Sequence, residues 1–356
     1  MEPLLIKVFL PTALAFFIGI AITPIVTHYL YKHHAWKKQS GKVAGYGGGG
    51  TPLFNQIHEH TDTNTPRLGG VVIWSSILLT TGALWLLSVL FTDSVLGNLN
   101  FLSRSQTWLP LLALIIGAAV GFLDDLLTIR GSGKHFAGGL PLSQRILVVG
   151  LTAAFSAWWF YEKLGVHAVS LFNFGTLELG LWFIPFFIFV AMCVYMSSVI
   201  DGIDGLAGGV FMFIFASYSA VAFLQQQYDI AALCTTIVGG ILAFLWFNIP
   251  PARFYMTETG IMALTMSLTV VAFSTDALGE GIGVSILPIV GFLLVATVIM
   301  NVVQILGKKF FGRKVLLIAP LHHHFEALGW PGHKVTMRYW VLGFVFAIIG
   351  ILLALI

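Results

Sequence analysis

The densest chemistry in this chain lies in Ser198-Val199-Ile200-Asp201-Gly202-Ile203-Asp204-Gly205, where two carboxylates and two glycines separate apolar runs at 182–199 and 206–224. An acid at the margin of a long apolar run is costly unless it is paired, bound to a cation or facing water, so it marks a functional site by default. At helical spacing Asp201 and Asp204 are i and i+3 and share one face. Gly202 and Gly205 let the backbone approach a ligand closely. Oxygen donors at this density suit Mg²⁺, which commonly takes one or two carboxylates together with substrate phosphates. The plainer alternative is a tight turn with solvated acids, because Asp-Gly is ordinary turn chemistry.

Other groups carry comparable chemistry. Asp124-Asp125 closes the apolar run ending Val120-Gly121-Phe122-Leu123. The pair reads as a base or as an anchor for Mg²⁺ and phosphate, against a solvated pair that marks the membrane boundary. His322-His323-His324-Phe325-Glu326 offers imidazoles that donate to phosphate oxygens, bind metal or act as acid and base. Consecutive residues point different ways, so a zinc site from this run alone is poor geometry, and an exposed polar loop is the alternative. Glu258, in Met256-Thr257-Glu258-Thr259-Gly260, reads equally as a metal carboxylate and as an acid stabilised by a helix N-terminus. Asn248 ends an apolar run and either hydrogen-bonds a ligand or caps a helix.

The elements that must position these groups follow from composition. With 58% hydrophobic and 9% charged residues and a mean hydropathy of +0.92, the chain is not a soluble globule, since soluble domains carry about 25% charged residues. Runs of about 20 apolar residues cross the roughly 30 Å hydrocarbon layer as helices. Ten spans are predicted, at 4–30, 71–91, 108–123, 144–161, 181–199, 206–224, 229–248, 260–275, 284–306 and 337–356, the eighth diluted by Thr and Ser. The chain is thus a single all-α, polytopic membrane domain over residues 1–356. Its first run is long enough to remain as a helix rather than to be cleaved as a leader. Cys193 and Cys234 lie inside apolar runs without CxxC spacing and read as buried thiols. Gly45–Gly50 reads as a flexible loop. Residues 167–181 alternate around Asn173–Gly175 like a short β-hairpin on the outer surface. Residues 309–319 read as a second short extended piece.

The connections after the odd-numbered spans hold 15 of the 18 basic residues. The positive-inside rule places those connections in the cytoplasm and both termini outside. Asp124, Asp125, Asp201, Asp204, Glu258, Glu326 and the histidine run all fall on the same side. A proton or ion path would put ionisable groups near mid-membrane. Clustering at one face favours a membrane enzyme with a cytosolic polar substrate over a transporter.

These segments together resemble a known family. Thr65-Pro66 with Gly69-Gly70, Gly121-Phe122-Leu123-Asp124-Asp125, Asp201-Gly202-Ile203-Asp204-Gly205-Leu206-Ala207, Phe244-Leu245-Trp246-Phe247-Asn248 and Pro320-Leu321-His322-His323-His324-Phe325-Glu326 with Gly329-Trp330-Pro331 are similar to the motifs of the polyprenyl-phosphate N-acetylhexosamine-1-phosphate transferases. The likeness covers essentially the whole chain, and the histidine segment points to the branch that makes lipid I for peptidoglycan. It implies a ten-helix, usually dimeric protein of the bacterial inner membrane with a cytoplasmic cleft. There Mg²⁺ helps undecaprenyl phosphate attack the pyrophosphate of a UDP-linked amino sugar carrying a peptide, and UMP leaves. Nucleic acid has no part in it. The resemblance makes Asp124 the base or lipid-phosphate partner with Asp125 beside it, and places Asp201 and Asp204 along the cleft. His322, His323 and His324 contact the nucleotide-sugar or its diphosphate, with His323 in the catalytic set. Thr65, Arg145 and Asn248 join the substrate-binding set, and Glu258, Ser198 and Asp204 form the metal set.

The chain departs from the family pattern at several of these positions. Ser198 stands where the family has Asn, and Glu258 where it has a metal-binding Asp. Thr128 and Asp62 replace lysines, and Arg145 aligns with a third. Fewer cations beside a diphosphate weaken binding and transition-state charge stabilisation, and Arg is not equivalent to Lys. The alternatives are a transferase for another UDP-amino sugar, or a catalytically weakened scaffold that binds polyprenyl phosphate.

Overall fold

The computed structural model describes residues 2–37, 64–92, 94, 97–131, 139–278 and 281–356. The glycine-rich stretch 45–50 and Asp62 lie outside them. Among the described residues the chain is an α-helical bundle: α1 (Glu2–Lys32), α2 (Gly70–Leu90), α3 (Trp108–Arg130), α4 (Leu142–Trp158), α5 (Phe183–Met196), α6 (Leu206–Leu224), α7 (Tyr228–Asn248), α8 (Thr257–Ala277), α9 (Gly283–Val290), α10 (Phe292–Phe311), α11 (Leu321–Ala327) and α12 (Gly332–Leu353). A backbone in hydrocarbon must satisfy its own hydrogen bonds, which is why apolar runs become helices.

Among the described residues nine helical segments are long and apolar enough to cross a membrane, α5 only together with its flanking 3₁₀ turns over Gly180–Ile200. The predicted fourth span differs: α4 has 17 residues and continues as a π-helical turn, Trp159–Lys163. The predicted ninth span is not continuous. It breaks at Gly291 into α9 and α10, three residues after Pro288, whose ring removes a ladder donor.

α8 is the hub. In its apolar window 94% of residues are buried, against 22% for α1. It faces other helices rather than lipid, which explains its content of Thr and Ser. Their hydroxyls turn back on the helix, with Thr265, Thr269 and Thr275 donating to the carbonyls of Ile261, Thr265 and Val271. Glycines set how closely neighbours approach. A Cβ on Gly121 of α3 would run into the Glu258 carbonyl, and one on Gly70 of α2 would run into Gly260. Both bare spots lie at the first turn of α8, so they bring α2 and α3 against the turn that bears Glu258.

At the opposite end of α8 sits the expected hairpin, with strands β1 (Ala168–Ser170) and β2 (Thr176–Glu178) in antiparallel register Val169↔Leu177. Asp276 accepts the Ser170 and Val284 backbone N–H groups there, both at 3.0 Å. The predicted extended piece at 309–319 does not form a strand. α10 runs to Phe311, and the chain beyond it bends around Gln304. That side chain accepts the Val315 and Leu316 N–H groups at 3.0 and 2.8 Å and donates to the Leu316 carbonyl, supplying what a partner strand would. Cys234 is buried as expected, whereas Cys193 lies on the outward side of α5 and is exposed.

Candidate active site

The end of the bundle opposite the hairpin collects the charged residues. Segment 66–70 runs beside 255–256, joined by Tyr255 N–H to Pro66 O, Gly69 N–H to Tyr255 O and Gly70 N–H to Met256 O. This pairing delivers Arg67 to the C-terminal part of α3. Its Nε and Nη2 donate to Asp125 Oδ1 at 3.2 and 2.9 Å. Burial works against the Arg67 charge most strongly, yet the carboxylates of Asp125, Glu258 and Asp201 together more than offset it and hold the guanidinium above its ordinary pKa. Half-buried Thr65 stands two residues upstream.

Asp125 is wholly occupied. Its Oδ2 accepts Thr257 Oγ1 at 2.5 Å, Thr259 N at 2.9 Å and Thr259 Oγ1 at 2.6 Å. Thr257 holds φ 56°, a conformation that costs a β-branched residue energy and persists only when its surroundings over-determine it. Those surroundings are its hydroxyl on Asp125 and its N–H on Asp201 Oδ2 at 2.9 Å. Asp124 is more open. Its Oδ1 takes the Leu140 N–H at 2.7 Å, and no donor reaches Oδ2 among the described residues. Thr128, one turn on, donates to the Asp124 carbonyl.

Arg145, in the first turn of α4, enters between Asp124 and Glu258. Its Nη1 donates to Glu258 Oε1 at 2.5 Å, and its Nε lies 3.8 Å from Asp124 Oδ1. Tyr195 of α5 lies beside the same guanidinium. Glu258 Oε2 and Arg145 Nε are buried and have no hydrogen-bond partner among the described residues.

The Asp201–Gly205 stretch is a turn, not a helix, so its two acids do not share a helical face. Asp201 reaches Thr257 N, and Asp204 Oδ2 takes the Ala252 N–H at 3.0 Å. Burial pushes the Asp201 carboxyl up to about 6, opposed by the Thr257 N–H. Gly205, at φ 74°, needs the left-handed region that glycine allows. Asn248 spends both ends of its amide on backbone, accepting Gly205 N and donating to Phe254 O, each at 2.8 Å. It ties the acidic turn to the loop after α7. On the other side Trp340 Nε1 donates to Gly205 O and Thr336 Oγ1 to Asp204 O, both at 3.0 Å. Ser198 lies in the 3₁₀ turn before Asp201, and its carbonyl accepts the Asp201 N–H.

The histidine run forms α11 instead of an exposed loop, and His322 and His323 are buried. Their Nε2 atoms stand so close over Gly202 that a Cβ there would collide with both. His323 Nδ1 meets Glu326 Oε2 at 2.6 Å, while His324 turns away and accepts the Leu317 N–H at 3.3 Å. Two of the three histidines therefore belong to the site. Arg338 lies 4.0 Å above the Trp330 ring, which stacks on Phe325 and locks α11 to α12.

The residues expected to hold a metal are not gathered. Glu258 meets Arg145, Asp204 meets the Ala252 N–H, and Ser198 makes no side-chain hydrogen bond among the described residues. No three His, Cys, Asp or Glu side chains converge as a ligand set among the described residues. Mg²⁺ demands near-octahedral oxygen donors, and these residues do not fit a resident ion.

Sequence reading missed Arg67, Thr257 and Thr259, although they flank the quoted Thr65-Pro66 and Glu258 motifs. Thr336 and Trp340 carry no sequence signal, because only the packing of α12 on α6 brings them to Gly205.

Comparison with known proteins fits this arrangement. Residues 107–276, from α3 to the end of α8, match the model of glycosyl transferase family 4. A fold of membrane-spanning helices with this match points to a membrane-embedded glycosyl transferase. A phospho-N-acetylmuramoyl-pentapeptide-transferase of Chloroflexus aurantiacus is 33% identical over 307 residues, 82% of this chain and 77% of the relative. The same-named proteins of Geobacillus sp. (strain WCH70) and Anoxybacillus flavithermus are 32% and 31% identical over 81% and 97% of this chain, and 83% and 97% of those relatives. The chain belongs to the phospho-N-acetylmuramoyl-pentapeptide-transferase family.

Proposed function

We propose that this protein transfers phospho-N-acetylmuramoyl-pentapeptide from its UDP derivative to undecaprenyl phosphate, forming lipid I and UMP in peptidoglycan synthesis. The observation that carries this reading is the meeting of Asp124, Arg145, Glu258, the Asp201–Gly205 turn and His322-His323 at one end of the bundle. These groups come from distant parts of the chain and surround one polar corner of a membrane protein.

In this reading an oxygen of the lipid phosphate attacks the sugar-bearing phosphorus. The bond from that phosphorus to the bridging oxygen breaks, and UMP departs with the electron pair. Phosphoryl transfer asks for positioning and charge stabilisation more than covalent help. Asp124, whose Oδ2 meets no donor among the described residues, takes a proton from or orients the lipid phosphate. Arg145 offers guanidinium donors to phosphate oxygens, for which its planar fork is suited. His322 and His323 face the nucleotide-sugar diphosphate across Gly202. Asp125 and Asn248 hold the frame. Thr65 borders it, and Asp201 and Asp204 form the wall. The resemblance implies Mg²⁺ in the reaction. The corner faces the cytoplasm with both termini outside, as the distribution of Lys and Arg indicates, and the protein works as a homodimer of single-domain chains.

The test is UMP release by purified protein given undecaprenyl phosphate, UDP-N-acetylmuramoyl-pentapeptide and Mg²⁺. Release that falls at least about 100-fold in Asp124→Asn supports the reading, a loss in the usual range for a positioned acid–base group. Equal silence of wild type and mutant, with a panel of other UDP-sugars also silent, transfers support to a scaffold that binds polyprenyl phosphate.

A further inference from the structure

The corner holds two arginines among its carboxylates. Arg67 is committed to Asp125, which is saturated by three further donors. Arg145 is placed differently. It is largely buried, with 13% of its side chain exposed, and it joins two acids from separate helices, Asp124 on α3 and Glu258 on α8. Between those acids is where a divalent cation would gain most, and the guanidinium already stands there. An ion seeking Glu258 must displace a fixed positive charge that does not deprotonate near neutral pH. It would strip a partly buried arginine of its partner, which is strongly unfavourable. The long reach of a glutamate brings Oε1 to Arg145 Nη1, while Oε2 is buried without a donor among the described residues. A single carboxylate oxygen beside a guanidinium is a poor cation site.

We propose that Arg145 is the resident cation of this site. It fills the position between Asp124 and Glu258, so the substrate-free protein does not load a divalent metal on Glu258. Any divalent ion in the reaction then arrives on the diphosphate of the substrate instead of waiting on the protein. This last consequence rests on the transferase reading. The charge arrangement does not.

The experiment is a Mn²⁺ titration of the purified full-length protein in detergent without substrate, followed by electron paramagnetic resonance of the free ion. Wild type and Glu258→Gln should bind Mn²⁺ equally weakly. Arg145→Gln should bind at least about tenfold tighter, a change of about 1.4 kcal/mol, and adding Glu258→Gln should remove the gain. Arg145→Lys keeps a cation in place and should stay weak. If Arg145→Gln does not fold, wild type against Glu258→Gln still decides. Stoichiometric Mn²⁺ on wild type that disappears in Glu258→Gln overturns the proposal, as does a folded Arg145→Gln without gain. Failure of the transferase reading appears separately, as absence of UMP release.

Discussion

The two ends of α8 each carry an acid, Asp276 buried and Glu258 half-buried, and they satisfy it in different ways. At the hairpin end Asp276 accepts two backbone N–H groups, from Ser170 and Val284. At the other end Glu258 meets the side chain of Arg145 and, among the described residues, leaves one oxygen without a donor. Backbone amides are fixed by the fold, so an acid they saturate is structural. A side-chain cation can be re-aimed when a charged substrate enters, so an acid it answers is available for chemistry. Asp125 stands between these cases, because Arg67 and three donors from Thr257 and Thr259 use both its oxygens. By this criterion it belongs with Asp276, although it adjoins Asp124 in sequence.

The largest effect should come from Asp125→Ala. Removing one partner of a buried ion pair costs about 3–5 kcal/mol, and it frees Arg67 and Thr257 together. A large fall in the detergent Tm, with UMP release lost only as fold is lost, would place Asp125 in the frame. An unchanged Tm with transfer abolished would break the comparison. Gly121→Ala comes next, since its methyl meets the Glu258 carbonyl. Overpacking of this kind costs about 1–3 kcal/mol, and it should lower kcat by shifting Glu258 against Arg145. Asp276→Asn leaves one N–H facing an amide donor, at a cost of about 1–3 kcal/mol. It should lower the Tm and leave UMP release per folded molecule unchanged.

A comparable effect is in pH. Asp201 has a folded pKa of about 6, above the ordinary 3.8. The folded state therefore holds this proton more tightly, and the stability it brings is full below about pH 4 and lost as pH rises through 6. Thermal scans from pH 4 to 7 should show a decline of about 2–3 kcal/mol, which Asp201→Asn should remove. An identical decline in that mutant would assign it to another group.

The sequence by itself determined the class of fold, the hairpin and the identity of most polar groups in the corner. Apolar length is a local property, and the cost of a charge in hydrocarbon marks its exceptions wherever they fall. Thr and Ser diluted the eighth span because α8 never meets lipid, a fact that local hydropathy does not contain. Partnership was decided only by tertiary structure. Asp124 and Asp125 are neighbours in the chain, yet one helical residue step turns the first toward Arg145 and the second into Arg67, Thr257 and Thr259. His324 follows His323 and points elsewhere for the same reason. Glu258 kept the carboxylate that a metal would use, and its partner came from the first turn of α4, 113 residues earlier. Which charge answers which acid depends on distances between helices, and those distances are set by glycine contacts and packing that no single stretch of sequence encodes.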